Sequence, residues 1–231
     1  MNSTLAENIL AVRERIASAA GKAGRHPDSV RLLAVSKTRP AQEIQQAFAA
    51  GQLLFGENYV QEALEKMEQT GPGPQWHLIG HLQSNKARLI PGRFALVHTV
   101  DSEKLARALG RHAEQAGLRL EVLLQLNWSG EDTKSGITEE SSLRLVLQAV
   151  RECPALILRG FMTIPDPALN ETGTRRVYSA IRELHQRVGS EFGLGPEFNE
   201  LSFGMSHDFE WAIAEGATLV RVGTAIFGAR S

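Results

Sequence analysis

The sequence predicts an α/β fold, a closed (β/α)8 TIM barrel. Three observations carry that reading. Short apolar runs alternate with amphipathic segments along most of the chain, there are eight such pairs, and the apolar runs mostly lack polar alternation. Alternating strand and helix signals imply a parallel sheet, and parallel strands buried on both faces read as continuous apolar runs. Eight units in about 200 residues fit a barrel near the lower size limit of that fold. An open doubly wound sheet is the competing arrangement. It generally uses fewer strands and often opens on a glycine-rich turn, and no G-x-G-x-x-G follows the first strand here.

Thr4-Leu-Ala-Glu7 has the spacing of a capping box. Leu5, Ile9, Val12 and Ile16 then recur at helical period, so an extra N-terminal helix runs to about Gly21 and ends at Gly24–Asp28. Leu32–Val35 reads as the first buried strand and stops at Ser36-Lys37-Thr38. Helix Ala41–Ala50 follows, then strand Leu53–Phe55 and helix Val60–Glu68. Strand Trp76–Ile79 leads to helix Asn85–Leu89, and strand Ala95–Val100 to helix Ser102–Gln115. Strand Arg119–Leu126 is followed by a polar loop and helix Glu139–Arg151. Strand Leu156–Met162 precedes helix Glu171–Val188, and a short strand near Glu200–Phe203 precedes helix Asp208–Glu215. Strand Thr218–Val222 ends in Gly223-Thr224 and a short apolar turn. No linker or second domain interrupts this rhythm, so residues 1–231 read as a single domain.

Composition narrows the function. The 231 residues carry 25 Lys+Arg against 26 Asp+Glu, a formal charge of −1, with 42% hydrophobic residues. That balance offers no global field to draw nucleic acid or an anionic membrane. The single cysteine, Cys153, leaves no intrachain disulfide and no multi-cysteine metal site. No apolar run approaches the roughly 20 residues of a membrane span. Glu7 and Glu14 break the N-terminal segment, which lacks a signal-peptide layout. The expectation is a soluble, cytoplasmic protein with neither nucleic acid nor membrane as a partner, and a monomer is compatible with the pattern.

In a barrel, chemistry gathers at the C-terminal ends of the strands. Those ends carry Ser36-Lys37-Thr38, Gly56-Glu57-Asn58, the segment from Gly80 to Lys86, Asp101, the stretch from Asn127 to Gly136, Thr163-Ile-Pro165, Gly204-Met-Ser206-His-Asp208 and Gly223-Thr224. Caps and turns favour Ser, Asp, Asn and Gly for structural reasons alone. Lysine has no such role, which singles out Lys37. A lysine facing the mouth loses hydration, which lowers its pKa, and a neutral amine attacks an aldehyde to form a Schiff base. On this segment alone, a lysine snorkelling to solvent is the structural alternative. Gly204-Met-Ser206 and Gly223-Thr224 each open a helical segment, where backbone N–H groups and hydroxyls bind anions. Barrels frequently place a phosphate at the last two loops. A phosphate site there, across the mouth from Lys37, suits pyridoxal phosphate and equally a sugar phosphate that forms an imine.

Arg221 lies inside the last strand and must find acceptors. One reading is an ion pair with Glu57 or Asp208. The other is a donor to a pyridine nitrogen, which would keep that nitrogen unprotonated and weaken the ring as an electron sink. Asn58 either caps the following helix or donates to the ligand. His77 and His81 fall in a strand and its loop, without H-E-x-x-H or an acidic partner at ligand spacing, so no metal is expected. Gly204-Met-Ser-His-Asp208 departs from G-x-S-x-G at its final position. Lys86, Arg88 and Lys134 either make the mouth positive or are solvated charges.

Together the motifs Leu-Leu-Ala-Val-Ser-Lys37-Thr, Phe-Gly-Glu-Asn58-Tyr-Val-Gln-Glu, Trp-His-Leu-Ile-Gly-His-Leu-Gln-Ser-Asn-Lys86, Lys134-Ser-Gly136, Gly160-Phe-Met-Thr-Ile-Pro165, Leu-Ser-Phe-Gly-Met-Ser206-His-Asp and Arg221-Val-Gly-Thr-Ala-Ile-Phe-Gly228 run nearly the whole chain. In this order they resemble the pyridoxal phosphate homeostasis proteins, the YggS/PROSC family. Phe161 and Phe203 stand where that family commonly has aliphatic residues or methionine. The resemblance implies a barrel like the N-terminal domain of fold-type III PLP enzymes such as alanine racemase. It implies pyridoxal 5'-phosphate (PLP) held as an internal aldimine on Lys37, phosphate contacts from Ser206, Gly223 and Thr224, and Arg221 near the pyridine nitrogen. It also implies a part in PLP homeostasis and in amino-acid and keto-acid balance, without an established reaction, and PLP-dependent apoenzymes as recipients.

Two enzyme readings compete with a carrier. An amino-acid racemase needs a base on each face of Cα; of the two tyrosines, Tyr178 falls in a predicted helix and Tyr59 immediately before one, near the end of the second strand. A sugar-phosphate enzyme working through a Lys37 imine would lack the visible colour of bound PLP.

Overall fold

The computed structural model describes residues 4–128 and 135–229; Lys134 lies outside the described residues. Its strands are β1 (Arg31–Val35), β2 (Leu54–Glu57), β3 (Gln75–Leu78), β4 (Leu96–Val100), β5 (Leu120–Leu126), β6 (Leu156–Thr163), β7 (Glu200–Ser202) and β8 (Leu219–Val222). They form a closed barrel in chain order, every adjacent pair parallel. β8 returns to β1, with Leu33 beside Arg221 and Ala34 beside Val222, so the sheet has no free edge. The open sheet is thereby excluded.

The helices are α1 (Leu5–Lys22), α2 (Ala41–Ala49), α3 (Val60–Thr70), α4 (Glu103–Gln115), α5 (Glu140–Arg151), α6 (Glu171–Glu191), α7 (Phe209–Ala214) and α8 (Thr224–Phe227). The capping box of α1 is formed: Glu7 N–H donates to Thr4 Oγ1 at 3.3 Å, and Thr4 N–H to Glu7 Oε2 at 2.7 Å. This added helix packs against α7, α8 and α2. Asn8 Nδ2 donates to Ile226 O at 2.9 Å, bracing the short helix that follows β8.

Three segments differ from the sequence expectation. Ser84–Leu89 is a 3-10 helix rather than an α-helix; Pro91 follows closely and has no N–H with which to continue a helical ladder. Pro27–Ser29 adds an unforeseen 3-10 turn. α6 passes through Gly189 and stops only before Gly193, whose φ of +59° supplies the left-handed residue that ends helices.

Side chains alternate across each strand. A large apolar cluster fills the layer between barrel and helices, while Leu33, Leu96, Leu123, Met162 and Leu219 form a small one of their own. Polar groups share the buried core: His77, His98, Ser202 and Arg221 are all buried. Burial holds His77 down from about 6.5 to about 3, and pushes His98 down as well. The unfolded chain therefore binds more protons than the folded one between pH 6.5 and about 3. Stability is expected to fall as pH drops through that window, by on the order of 5 kcal/mol from His77 alone. Urea unfolding at pH 7, 5.5 and 4.5 checks this, and a stability that held flat across those points would contradict neutral burial of the pair.

Candidate functional site

Alternation along β1 puts Leu33, Val35 and, one step past the strand, Lys37 on the same side of the chain. Leu33 belongs to the small buried cluster, and Val35 and Lys37 line a cavity of about 270 Å³ at the mouth. Asn58, Ser206, Arg221, Gly223 and Thr224 line the same cavity, so all six residues singled out from sequence come together. Arg39, Ile79, Ile164, Met205, His207 and Gly228 complete the lining.

The turn carrying Lys37 is held from behind. Lys66 Nζ donates to Ser36 O and Glu57 Oε1, both at 2.8 Å, and to Glu62 Oε1 at 2.6 Å. Ser36 Oγ donates to Glu57 Oε1 at 2.6 Å, and Thr38 N–H donates to Glu62 Oε1 at 2.6 Å. Thr38 has φ 63°, a left-handed conformation that a β-branched residue adopts only under constraint. The Glu62 contact supplies that constraint immediately after Lys37. Glu57 is fully buried, and burial pushes its carboxyl up while Lys66 and Ser36 pull it down. Sequence reading missed Lys66; its one signal was the Glu62–Lys66 spacing on a helix face.

Arg221, 4% exposed, takes neither of the carboxylate partners considered for it. Nη1 donates to Ser202 O at 2.6 Å and to Ser202 Oγ at 2.9 Å, and Nη2 donates to Thr163 O at 2.9 Å. Glu57 is paired with Lys66 instead. Asp208 accepts from Tyr178 Oη at 2.7 Å and from Met205 N–H at 2.6 Å. Burial lowers the pKa of Arg221, yet a guanidinium keeps its charge in proteins.

Ser206 Oγ accepts from Gly223 N–H at 3.2 Å and from Ala225 N–H at 3.5 Å, joining the turn after β7 to the turn after β8. α7 begins at Phe209, so Ser206 sits in the turn ahead of it rather than opening the helix. Gly204 makes that turn feasible: its φ is +92°, and a Cβ there would lie 2.5 Å from Ala212 Cβ. Closure also corrects a placement. The β8 turn lies beside Lys37, not across the mouth from it, because β8 pairs with β1. Arg39, also missed, donates from Nη2 to Gly228 O at 2.6 Å and to Ala229 O at 3.0 Å, tying the segment after α8 to the turn after β1.

Tyr59, not Asn58, is the N-cap of α3, so Asn58 is not used for capping. A Cβ at Gly80 would lie 2.2 Å from Asn58 O, so the turn after β3 and the Asn58 turn are in backbone contact. His77 and His81 do not meet: His77 is buried, while the side chain of His81 is 55% exposed. Lys86 Nζ donates to Gln61 Oε1 at 3.2 Å, and Lys86 does not line the cavity.

The family described as Alanine racemase, N-terminal domain, matches residues 7–231. A Pseudomonas aeruginosa protein named Pyridoxal phosphate homeostasis protein is 48% identical over 229 residues, covering 99% of this chain and 96% of that one. This chain belongs to the pyridoxal phosphate homeostasis protein family. The relative of that name in Escherichia coli K12 is 44% identical, covering 98% of this chain and 97% of its own. The structure of Synechococcus elongatus PCC7942 PipY with PLP bound is 37% identical, covers 97% of this chain and 100% of its own, and superposes with a TM-score of 0.84. Alanine racemase from Clostridium difficile 630 shares the fold: its TM-score is 0.74 at 17% identity, over 98% of this chain and 56% of the racemase.

Proposed function

We propose that this protein binds pyridoxal 5'-phosphate and serves PLP homeostasis, and with it amino-acid and keto-acid balance, as a carrier without strong catalysis of its own. Residues 1–231 act as one PLP-binding barrel domain. The observation that carries this reading is the convergence of six residues from four strand ends on one cavity. The donor set fits the cofactor group by group. When bound, the cofactor supplies an aldehyde that condenses with a primary amine, releasing water. Lys37 Nζ is the amine in this cavity. The phosphate would be held by Ser206, Gly223 and Thr224: the two hydroxyls would donate to it, and the Gly223 N–H would do so in place of its contact with Ser206 Oγ. Arg221 would meet the ring nitrogen as a donor that has no proton-accepting form, and Asn58 would contact the ring substituents.

The carrier reading is favoured over a racemase by the tyrosines. Tyr178 is buried and bonded to Asp208, and Tyr59 is 63% exposed; neither lines the cavity. A base on each face of Cα is what racemisation needs. The carrier acts as a cytoplasmic monomer that delivers PLP to apoenzymes and has no nucleic-acid or membrane partner. Among the described residues, no helix is long and apolar enough to cross a membrane.

The test is a visible spectrum of the purified protein before and after addition of a competing amine, followed by borohydride reduction and peptide mapping. A visible band that the amine displaces, with the reduced adduct on Lys37, is expected. A colourless protein labelled only by a phosphorylated sugar would replace this reading with the sugar-phosphate one. Lys37-dependent turnover of D- or L-amino acids would replace it with the racemase.

A further inference from the structure

The buried histidines lie in a hydrogen-bonded line that ends at the cavity. His77 Nδ1 and His98 Nε2 are 3.0 Å apart, and His98 Nδ1 and Ser202 Oγ are 3.0 Å apart. Ser202 Oγ in turn accepts from Arg221 Nη1 at 2.9 Å. His77 on β3, His98 on β4 and Ser202 on β7 thus connect the barrel core to the guanidinium on β8. All four residues are buried, His98 and Ser202 at 0% exposure.

The chemistry of the groups fixes the direction of the line. A guanidinium only donates, so Ser202 Oγ is an acceptor towards Arg221. The hydroxyl's own hydrogen then needs an acceptor within reach, because an unsatisfied buried donor is costly. His98 Nδ1 is the acceptor at hydrogen-bond distance. His98 is therefore neutral with its proton on Nε2, and it donates to His77 Nδ1. A protonated His98 could not accept from Ser202 and would repel Arg221, which agrees with the downward displacement of its pKa by burial, His77 and Arg221.

We propose that Ser202, His98 and His77 are positioning residues for Arg221, a one-way hydrogen-bond chain that holds the guanidinium by its Nη1 edge and leaves its remaining N–H groups for the ligand in the cavity. The inference rests on the PLP reading for the identity of that ligand. The chain keeps the Ser202 hydroxyl turned away from Arg221, so the oxygen stays an acceptor and the arginine stays fixed. Bonds in such a line also polarise one another.

His98→Leu removes the acceptor for Ser202 at similar volume, whereas His98→Asn can return an oxygen near the place of Nδ1. PLP titration followed in the visible should show the dissociation constant of His98→Leu raised about fivefold, the effect of one net hydrogen bond, with its bound-state absorption maximum displaced. His98→Asn should recover both to within about twofold. Long-range proton–nitrogen NMR on the ligand-free wild type should place the His98 proton on Nε2. An unchanged constant and spectrum in His98→Leu, an Asn variant as impaired as the Leu variant, or a proton on His98 Nδ1 would each overturn the proposal. Should His98→Leu fail to fold, the Asn variant and the tautomer measurement decide the matter. A wild type that never develops a visible band with PLP would sink the PLP reading instead, and the tautomer measurement would then still accept or reject the chain.

Discussion

Replacing Lys37 with alanine is expected to remove the borohydride-trapped adduct entirely while leaving the thermal midpoint within about 2 °C of wild type. The large effect follows from the composition of the cavity. Among the described residues, Lys37 is the only primary amine in its lining; Arg39 and Arg221 are guanidinium groups that stay protonated. The other lysine close to this turn, Lys66, is buried behind it with three acceptors, so it is no substitute. The small effect on stability follows from position. Lys37 lies past the end of β1, is half-buried at the mouth, and belongs to neither apolar cluster. Mass spectrometry of the reduced protein and a melting curve read the two quantities. A Lys37→Ala protein that kept an undiminished band would reject Lys37 as the anchoring amine.

The second large effect is expected at Lys66, away from the cavity. Lys66→Met should cost about 3–5 kcal/mol, the range for removing one partner of a buried ion pair. Glu57 is fully buried, and its Oε2 has no hydrogen-bond partner among the described residues, so Lys66 and Ser36, both on Oε1, are its compensation. Burial already raises the Glu57 pKa above its ordinary 4.5, and loss of Lys66 removes the largest opposing influence. In the variant the folded state then keeps a proton that the unfolded state has released, over the window from pH 4.5 upward to the raised folded value. Stability must fall as pH rises through that window, so Lys66→Met should be more destabilised at pH 8 than at pH 5. Urea unfolding at both values reads the sign, and a variant more stable at pH 8 would refute it. Adding Glu57→Gln should restore part of the loss by removing the stranded charge. The same variant frees Ser36 O and the Glu62 carboxylate that holds Thr38, so covalent labelling of Lys37 should slow.

Much of this architecture was legible locally. Apolar runs without alternation identified the strands, helical period identified the helices, and the Thr4–Glu7 spacing identified a cap that forms. The residue types at the strand ends marked the cavity, because lysine has no capping role and glycine with hydroxyls suits an anion. Lys66 and Arg39 were invisible to that reasoning. Beyond Glu62, one helical turn before Lys66, their partners are a carboxylate on a neighbouring strand and carbonyls at the far end of the chain, and no period in the sequence links those. The 3-10 helix at Ser84–Leu89 escaped for a related reason: two short turns have too few residues to display a period.

The amino-acid order therefore decided most of the elements, the parallel α/β class of fold and the side of β1 on which Lys37 lies, since helix and strand periods and side-chain alternation are properties of adjacent residues. Closure of the barrel decided the rest. Only when β8 met β1 did the anion-binding turn come to lie beside Lys37, and only inside the closed sheet did Arg221 find Ser202 and Thr163 rather than a carboxylate. Those pairings join residues distant in sequence, and their energies depend on burial, which no local stretch of chain contains.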